Sequence, residues 1–103
     1  MLINLVTIQD IIAETIPDRD ALVWGDKRWT FAEFAMRCRR VSNAFLDLGL
    51  GCHTERAALS PHVSGQDHIA LYLYNGNEYM ESAYGAYRAR AVPINVNYRY
   101  VEE

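Results

Sequence analysis

His68-Ile-Ala-Leu-Tyr-Leu-Tyr-Asn75, then Asn77-Glu-Tyr-Met-Glu-Ser-Ala-Tyr-Gly-Ala-Tyr-Arg-Ala-Arg90, then Ala91-Val-Pro-Ile-Asn-Val-Asn97 decide the fold of this chain. The first run is almost unbrokenly apolar, as a strand must be when a parallel sheet is covered on both faces. The second carries Tyr79, Met80, Ala83, Tyr84, Ala86 and Tyr87 at helical spacing. The third reads as another strand. Asn75-Gly76 alone would also suit a hairpin. No alternation follows it, and Asn75 with Glu78 resembles an N-cap pair, so the turn is read as strand-to-helix. One β-α-β unit results. Parallel sheets need partner strands and covering helices, and few residues follow Asn97. The chain is therefore expected to be the opening segment of a larger α/β protein.

Earlier elements are shorter. Thr7 to Ile16 reads as a helix, with Thr7 as cap and Asp10 near the positive end of the dipole. Ile8, Ile11, Ile12 and Thr15 fall on one side of it, and Pro17-Asp18 ends it. Ala21–Trp24 and Arg28–Thr30 flank Gly25-Asp26-Lys27, which predicts a short hairpin with a solvated Lys27. Thr30-Phe-Ala-Glu33 is a capping box for a helix running to about Leu48. Phe34, Cys38, Val41, Phe45 and Leu48 form its apolar stripe, and Gly49 its stop. Arg37, Arg39 and Arg40 read as a solvated face rather than a phosphate site. Residues 51–66 show no period and predict an irregular insertion loop.

Composition narrows the function classes. The chain has 103 residues, 50% hydrophobic and 12% aromatic, which argues against disorder. A net charge of −3 argues against nucleic acid and against an anionic membrane surface. No segment approaches the roughly 20 apolar residues of a transmembrane helix. The N-terminus lacks the basic region of a signal peptide. Two cysteines, Cys38 and Cys52, do not make a disulfide framework. A reducing cytoplasm fits all of this.

Little in the chain is built for chemistry. The six glycines form neither G-x-x-x-x-G-K nor G-x-G-x-x-G, and no G-x-S-x-G elbow occurs. His53, His62 and His68 lack the spacing and second thiolate of a zinc site. Glu78 and Glu81 stand one turn apart on what reads as a solvent side. No catalytic residue and no metal ligand is therefore assigned. One positional rule remains: in open α/β sheets, ligands bind beyond the carboxyl ends of the strands. It singles out the turns Asn75-Gly-Asn77 and Asn97-Tyr-Arg-Tyr100, with Asn75, Asn77, Asn97, Tyr98 and Arg99 as contact candidates for a cofactor.

The order of several phrases carries a resemblance. Pro17-Asp-Arg-Asp-Ala-Leu22 resembles the P-D-x-x-A-L phrase of AMP-forming acyl-CoA synthetases. Trp29-Thr-Phe-Ala-Glu-Phe34 is similar to their x-T-Y-x-E-L helix start, and Asn75-Gly-Asn-Glu-Tyr79 to their N-x-x-E-x turn. Arg88-Ala-Arg-Ala-Val-Pro-Ile-Asn-Val-Asn-Tyr-Arg-Tyr-Val-Glu-Glu103 resembles R-A-G-A-V-x-x-N-x-N-x-R-Y-x-x-E-E-L, in the form of the actinobacterial fatty-acyl and steroid-acid branch. Two departures stand out: the insertion at 51–66, and Arg90 where the pattern has glycine.

The resemblance implies a partial N-terminal domain of the α/β class over residues 1–103: two helices, a short hairpin and the parallel β-α-β unit. It implies ATP-dependent activation of a fatty or steroid-type carboxylic acid, thioester formation with coenzyme A, and Mg²⁺ in the first step. The family's phosphate loop, metal motif and catalytic lysine lie downstream of the matched region, so the segment alone is expected to be inactive and to bind none of these cofactors. A non-catalytic module or truncated relic that docks on another subunit is the alternative reading, and a homo-oligomer stays open beside both. An independent nucleotide-binding domain is disfavoured by the missing glycine loop.

Overall fold

The computed structural model describes residues 3–99. Its elements run helix, hairpin, helix, 3₁₀ turn, strand, helix, strand, the α/β order that the sequence predicts.

Helix α1 (Leu5–Thr15) starts earlier than expected. Its cap is Asn4, not Thr7: the Asn4 Oδ1 accepts from the Thr7 backbone N–H at 2.9 Å. Asparagine serves well there because its short amide reaches the first turn. The inward face also differs from the isoleucine side. Ile8 and Ile11 are 43% and 47% exposed, whereas Gln9 is buried. Polar partners set this rotation. Gln9 Nε2 donates to Cys38 Sγ at 3.5 Å, and its Oε1 accepts from Arg88 Nη2 at 2.6 Å.

Strands β1 (Asp20–Trp24) and β2 (Lys27–Thr30) pair antiparallel, Trp24 opposite Lys27. That leaves Gly25-Asp26 as the turn, with Gly25 at φ +64°. A left-handed residue suits a tight hairpin and costs glycine little. Helix α2 (Phe31–Asp47) starts on the capping pair as predicted: Thr30 Oγ1 accepts from the Glu33 N–H at 3.2 Å. Phe34, Ala35, Cys38 and Ser42 are buried on it. Leu48, assigned to the same stripe, is 76% exposed because it lies past the last helical turn as the C-cap.

Strands β3 (His68–Leu71) and β4 (Val92–Asn95) are parallel, in register from His68 opposite Val92 to Leu71 opposite Asn95. Both are shorter than their apolar runs, since each finds only four partners in the other. Helix α3 (Asn77–Arg88) connects them. Its N-cap is Gly76, with no side-chain cap bond, rather than Asn75. The buried stripe of α3 is Asn77, Glu81 and Gly85 with Ala86, not the aromatic one. Met80 and Tyr87 are partly exposed, and Tyr84 meets Phe34 edge-on at 5.7 Å.

Gly85 sets the approach of α2 and α3. A Cβ there would lie 2.7 Å from Val41 Cγ1 and 2.9 Å from Val41 Cβ. Helix α3 stops at Arg88, two residues before the predicted end, and Arg90 takes φ +62°. The 51–66 loop is irregular yet closed at its neck. Cys52 bridges Gln66, and the His53 and Thr54 N–H groups both donate to the Gly65 carbonyl. No described helix is long and apolar enough to cross a membrane.

Candidate functional site

The strands β3 and β4 end side by side, and their carboxyl ends open into one depression of about 340 Å³. Leu73, Asn75, Asn95, Asn97, Tyr98 and Arg99 line it. After Leu71 the chain leaves the sheet, passes Asn75 and enters α3 at Asn77. After Asn95 the Val96 N–H still donates to the Leu71 carbonyl at 3.1 Å. Asn97 then turns the chain: its Oδ1 accepts from the Arg99 N–H at 2.9 Å, the local bond that asparagine makes readily. Tyr98 stacks against Tyr74 with ring centres 4.8 Å apart and a tilt of 54°. The Arg99 guanidinium lies 5.6 Å from the Tyr98 ring centre, within cation–π range.

Asn75, Asn97, Tyr98 and Arg99 are thus brought together, as their position at the strand ends predicts. Asn77 is not among them. It is buried, and its Nδ2 donates to Glu81 Oε1 at 3.1 Å. Tyr100 lies outside the described residues. Sequence reasoning missed Asn95, although i and i+2 on an extended chain share a face and Asn97 had been singled out. It also missed Tyr74, whose ring contact no local pattern announces.

Chemically the depression is a set of donors. Three primary amides and one guanidinium can hold anionic oxygens, and the Tyr98 ring offers a flat apolar face. Among the described residues, no carboxylate lines it. Among the described residues, no group of three or more His, Cys, Asp or Glu is placed to hold a metal ion.

Several other ionisable groups are engaged elsewhere. Arg37 Nε donates to Glu81 Oε1 at 2.5 Å, and Glu81 is buried rather than on a solvent side. Arg39 and Arg88 both pair with Asp10, so Arg37 and Arg39 already have carboxylate partners and Arg40 is exposed. His53 Nε2 lies 2.6 Å from Asp67 Oδ2. Burial pushes the Cys38 thiol up, the opposite of an activated nucleophile.

The Asp10 carboxyl is held below its ordinary range, first by the hydrogen bond from Arg88. A depressed carboxyl stabilises the fold fully above its unfolded value, and the contribution fades as pH falls through the folded value. Wild type should therefore out-melt Asp10→Asn at neutral pH, and the gap should close only below about pH 4. Melting curves from pH 7 to 2 check this; a gap that stays constant throughout would contradict the pairing.

Comparison with known proteins extends the picture. The family described as AMP-binding enzyme matches residues 10–103. The medium-chain acyl-CoA ligase Mig of Mycobacterium avium is 48% identical over 91 residues, covering 88% of this chain and 16% of that protein. A medium/long-chain-fatty-acid and 3-oxocholest-4-en-26-oate CoA ligase of Mycobacterium marinum is 30% identical over 100 residues, covering 97% of this chain and 16% of that one. In structure, the N-terminal subdomain of Klebsiella oxytoca NpsA superposes with a TM-score of 0.80 at 22% identity, covering 98% of this chain and 23% of that one. The chain thus spans 16% of the length of the curated relatives named. With a family match over 10–103 and the fold of an N-terminal subdomain, the chain belongs to the AMP-binding enzymes and corresponds to the N-terminal part of their acyl-CoA ligases.

Proposed function

We propose that this chain is the opening segment, residues 1–103, of an ATP-dependent ligase that joins a fatty or steroid-type carboxylic acid to coenzyme A, releasing AMP and pyrophosphate. The observation that carries this is the 48% identity with a medium-chain acyl-CoA ligase. AMP-forming acyl-CoA ligases use ATP, Mg²⁺ and coenzyme A. When bound, ATP would supply the adenylyl group that activates the carboxylate, with pyrophosphate as the leaving group. The part played by this segment is binding. Arg99 and the amides of Asn75, Asn95 and Asn97 hold and orient an anionic oxygen group of the nucleotide or of coenzyme A, and Tyr98 gives it a flat wall. Magnesium does not fit the described lining, which among the described residues holds no carboxylate. A cytoplasmic site of action agrees with two free cysteines.

The test is enzymatic. The purified 103-residue chain, given ATP, Mg²⁺, coenzyme A and a medium-chain fatty acid, should release no pyrophosphate. Exchanged for the matching segment of the Mycobacterium avium relative, it should support turnover. Arg99→Ala should then raise KM for ATP or for coenzyme A by about tenfold, the scale of one lost charge-assisted bond. Turnover by the chain alone sinks the reading.

A second reading has its own observation. The two-stranded parallel sheet leaves Ile94 of β4 at 43% exposure, and Tyr72 and Tyr74, just past the end of β3, at 63% and 78%, where parallel strands are normally covered. A module that docks its sheet on another subunit, or on a second copy, would bury them. A monomer in size-exclusion chromatography, alone and mixed with an intact family member, counts against docking.

A further inference from the structure

The insertion and the departure at Arg90 meet in space. Arg90 holds a left-handed backbone at φ +62°, which any side chain other than glycine adopts at a cost. Its guanidinium forks onto Glu55, Nη1 to Oε1 and Nη2 to Oε2, both at 2.7 Å. Its carbonyl accepts from Gln66 Nε2 at 2.7 Å, at the loop's other end. Two residues on, the Val92 N–H donates to the Asp67 carbonyl at 2.8 Å. The α3–β4 turn is therefore gripped from both limbs of the loop. Between the limbs of the loop and Arg90 lies a small cavity of about 120 Å³, bounded by Cys52, Thr54, Arg56, Gly65, Gln66 and Arg90. Cys52 Sγ points at the Thr54 carbonyl, 3.4 Å away.

Within the limbs the loop is tied by backbone bonds and by Arg56, whose Nη1 donates to the Val63 carbonyl at 2.9 Å. Between loop and turn, Glu55 to Arg90 is the bidentate charged tie, and its side chains are 67% and 59% exposed. An exposed pair of charges is screened by salt; the backbone bonds of the neck are not screened themselves and open more often only once that pair has let go.

We infer that the 51–66 loop, which carries the half-buried Cys52 thiol at its neck, is a strap latched to the α3–β4 turn by the Glu55–Arg90 fork and released by salt. The latch sits at the start of β4, the end of the sheet away from the depression at Asn97. It therefore opens and closes without obstructing that depression, and the inference stands apart from the proposed activity.

Two readouts on the intact chain test it. The first is the rate at which iodoacetamide labels Cys52, resolved by peptide mass spectrometry. Cys38, fully buried, stays silent as the internal control. The second is amide exchange at His53 and Thr54, which does not depend on thiol ionisation. Glu55→Gln and Arg90→Gly should each raise both rates about fivefold, the scale of one exposed ion pair. Raising KCl from about 0.1 to 1 M should do the same in wild type and nothing further in Glu55→Gln. Unchanged rates in either variant overturn the latch. A rise in labelling without a rise in exchange also overturns it, because thiol electrostatics alone would then be responsible.

Discussion

Gly85→Ala is expected to destabilise the chain by about 2 kcal/mol, although alanine is the better helix former by about 1 kcal/mol. The reason is the crossing of α2 and α3. A methyl group at position 85 would sit 2.7 Å from Val41 Cγ1, 2.9 Å from Val41 Cβ and 3.3 Å from the Ser42 nitrogen. Valine is stiff at χ1, so its methyl groups cannot swing aside without leaving their rotamer. Helix α2 must instead move outward, opening space around Cys38 and Phe34, both buried on the same helix. Urea denaturation measures the loss. A double variant, Gly85→Ala with Val41→Ala, should recover part of it, giving a coupling of about 1 kcal/mol or more. If Gly85→Ala alone is as stable as wild type, the helices do not approach as described.

Glu81→Ala should cost about 2 kcal/mol, the scale of leaving a buried amide without its acceptor and losing a charge-assisted bond to a half-exposed arginine. The Glu81 side chain is 7% exposed and accepts from Arg37 Nε and Asn77 Nδ2. Its removal strands the amide of Asn77, which is buried, and frees Arg37, which retains some access to water. Glu81→Gln keeps an acceptor for Asn77 and should lose less. Removing Arg37 as well should lose less than the two single changes added together, because each partner alone leaves the other unsatisfied. Thermal melts of the two single variants and the double variant provide the cycle. Strict additivity would show that Arg37 and Glu81 are not energetically paired.

Glu81 also shows where sequence reading stopped. Local signals were strong where one residue controls one geometry. Thr30 and Glu33 mark a helix start, Gly25-Asp26 a hairpin turn, and Gly49 a helix stop. The β-α-β unit followed from a long apolar run and from a helical period after Asn75. What failed were faces decided by distant partners. Glu81 and Gln9 look like surface residues until Arg37 and Arg88, 44 and 79 residues away in sequence, are brought beside them. The isoleucines of α1 and the Tyr79–Tyr87 stripe look like core residues until that polar stitching turns the helices. In the candidate site the strand-end rule located Asn75, Asn97, Tyr98 and Arg99. It could not tell that the Asn77 amide turns inward, because Asn75 and Asn77 differ only in which side of one turn they occupy.

The bond from Arg88 to Gln9 and Asp10 also constrains the order in which a ribosome can assemble this fold. Asp10 is made 78 residues before the arginine that pairs with it. At about 5–20 residues per second, roughly 4–16 s pass between the two. During that interval α1 can dock only on α2, through Gln9 to Cys38 and Asp10 to Arg39. Its exposed isoleucines and the Gln9 Oε1 that Arg88 will meet stay open to chaperones and proteases. Helix α1 is thus only half seated until α3 arrives, and a pause in translation before codon 88 would lengthen that exposure directly.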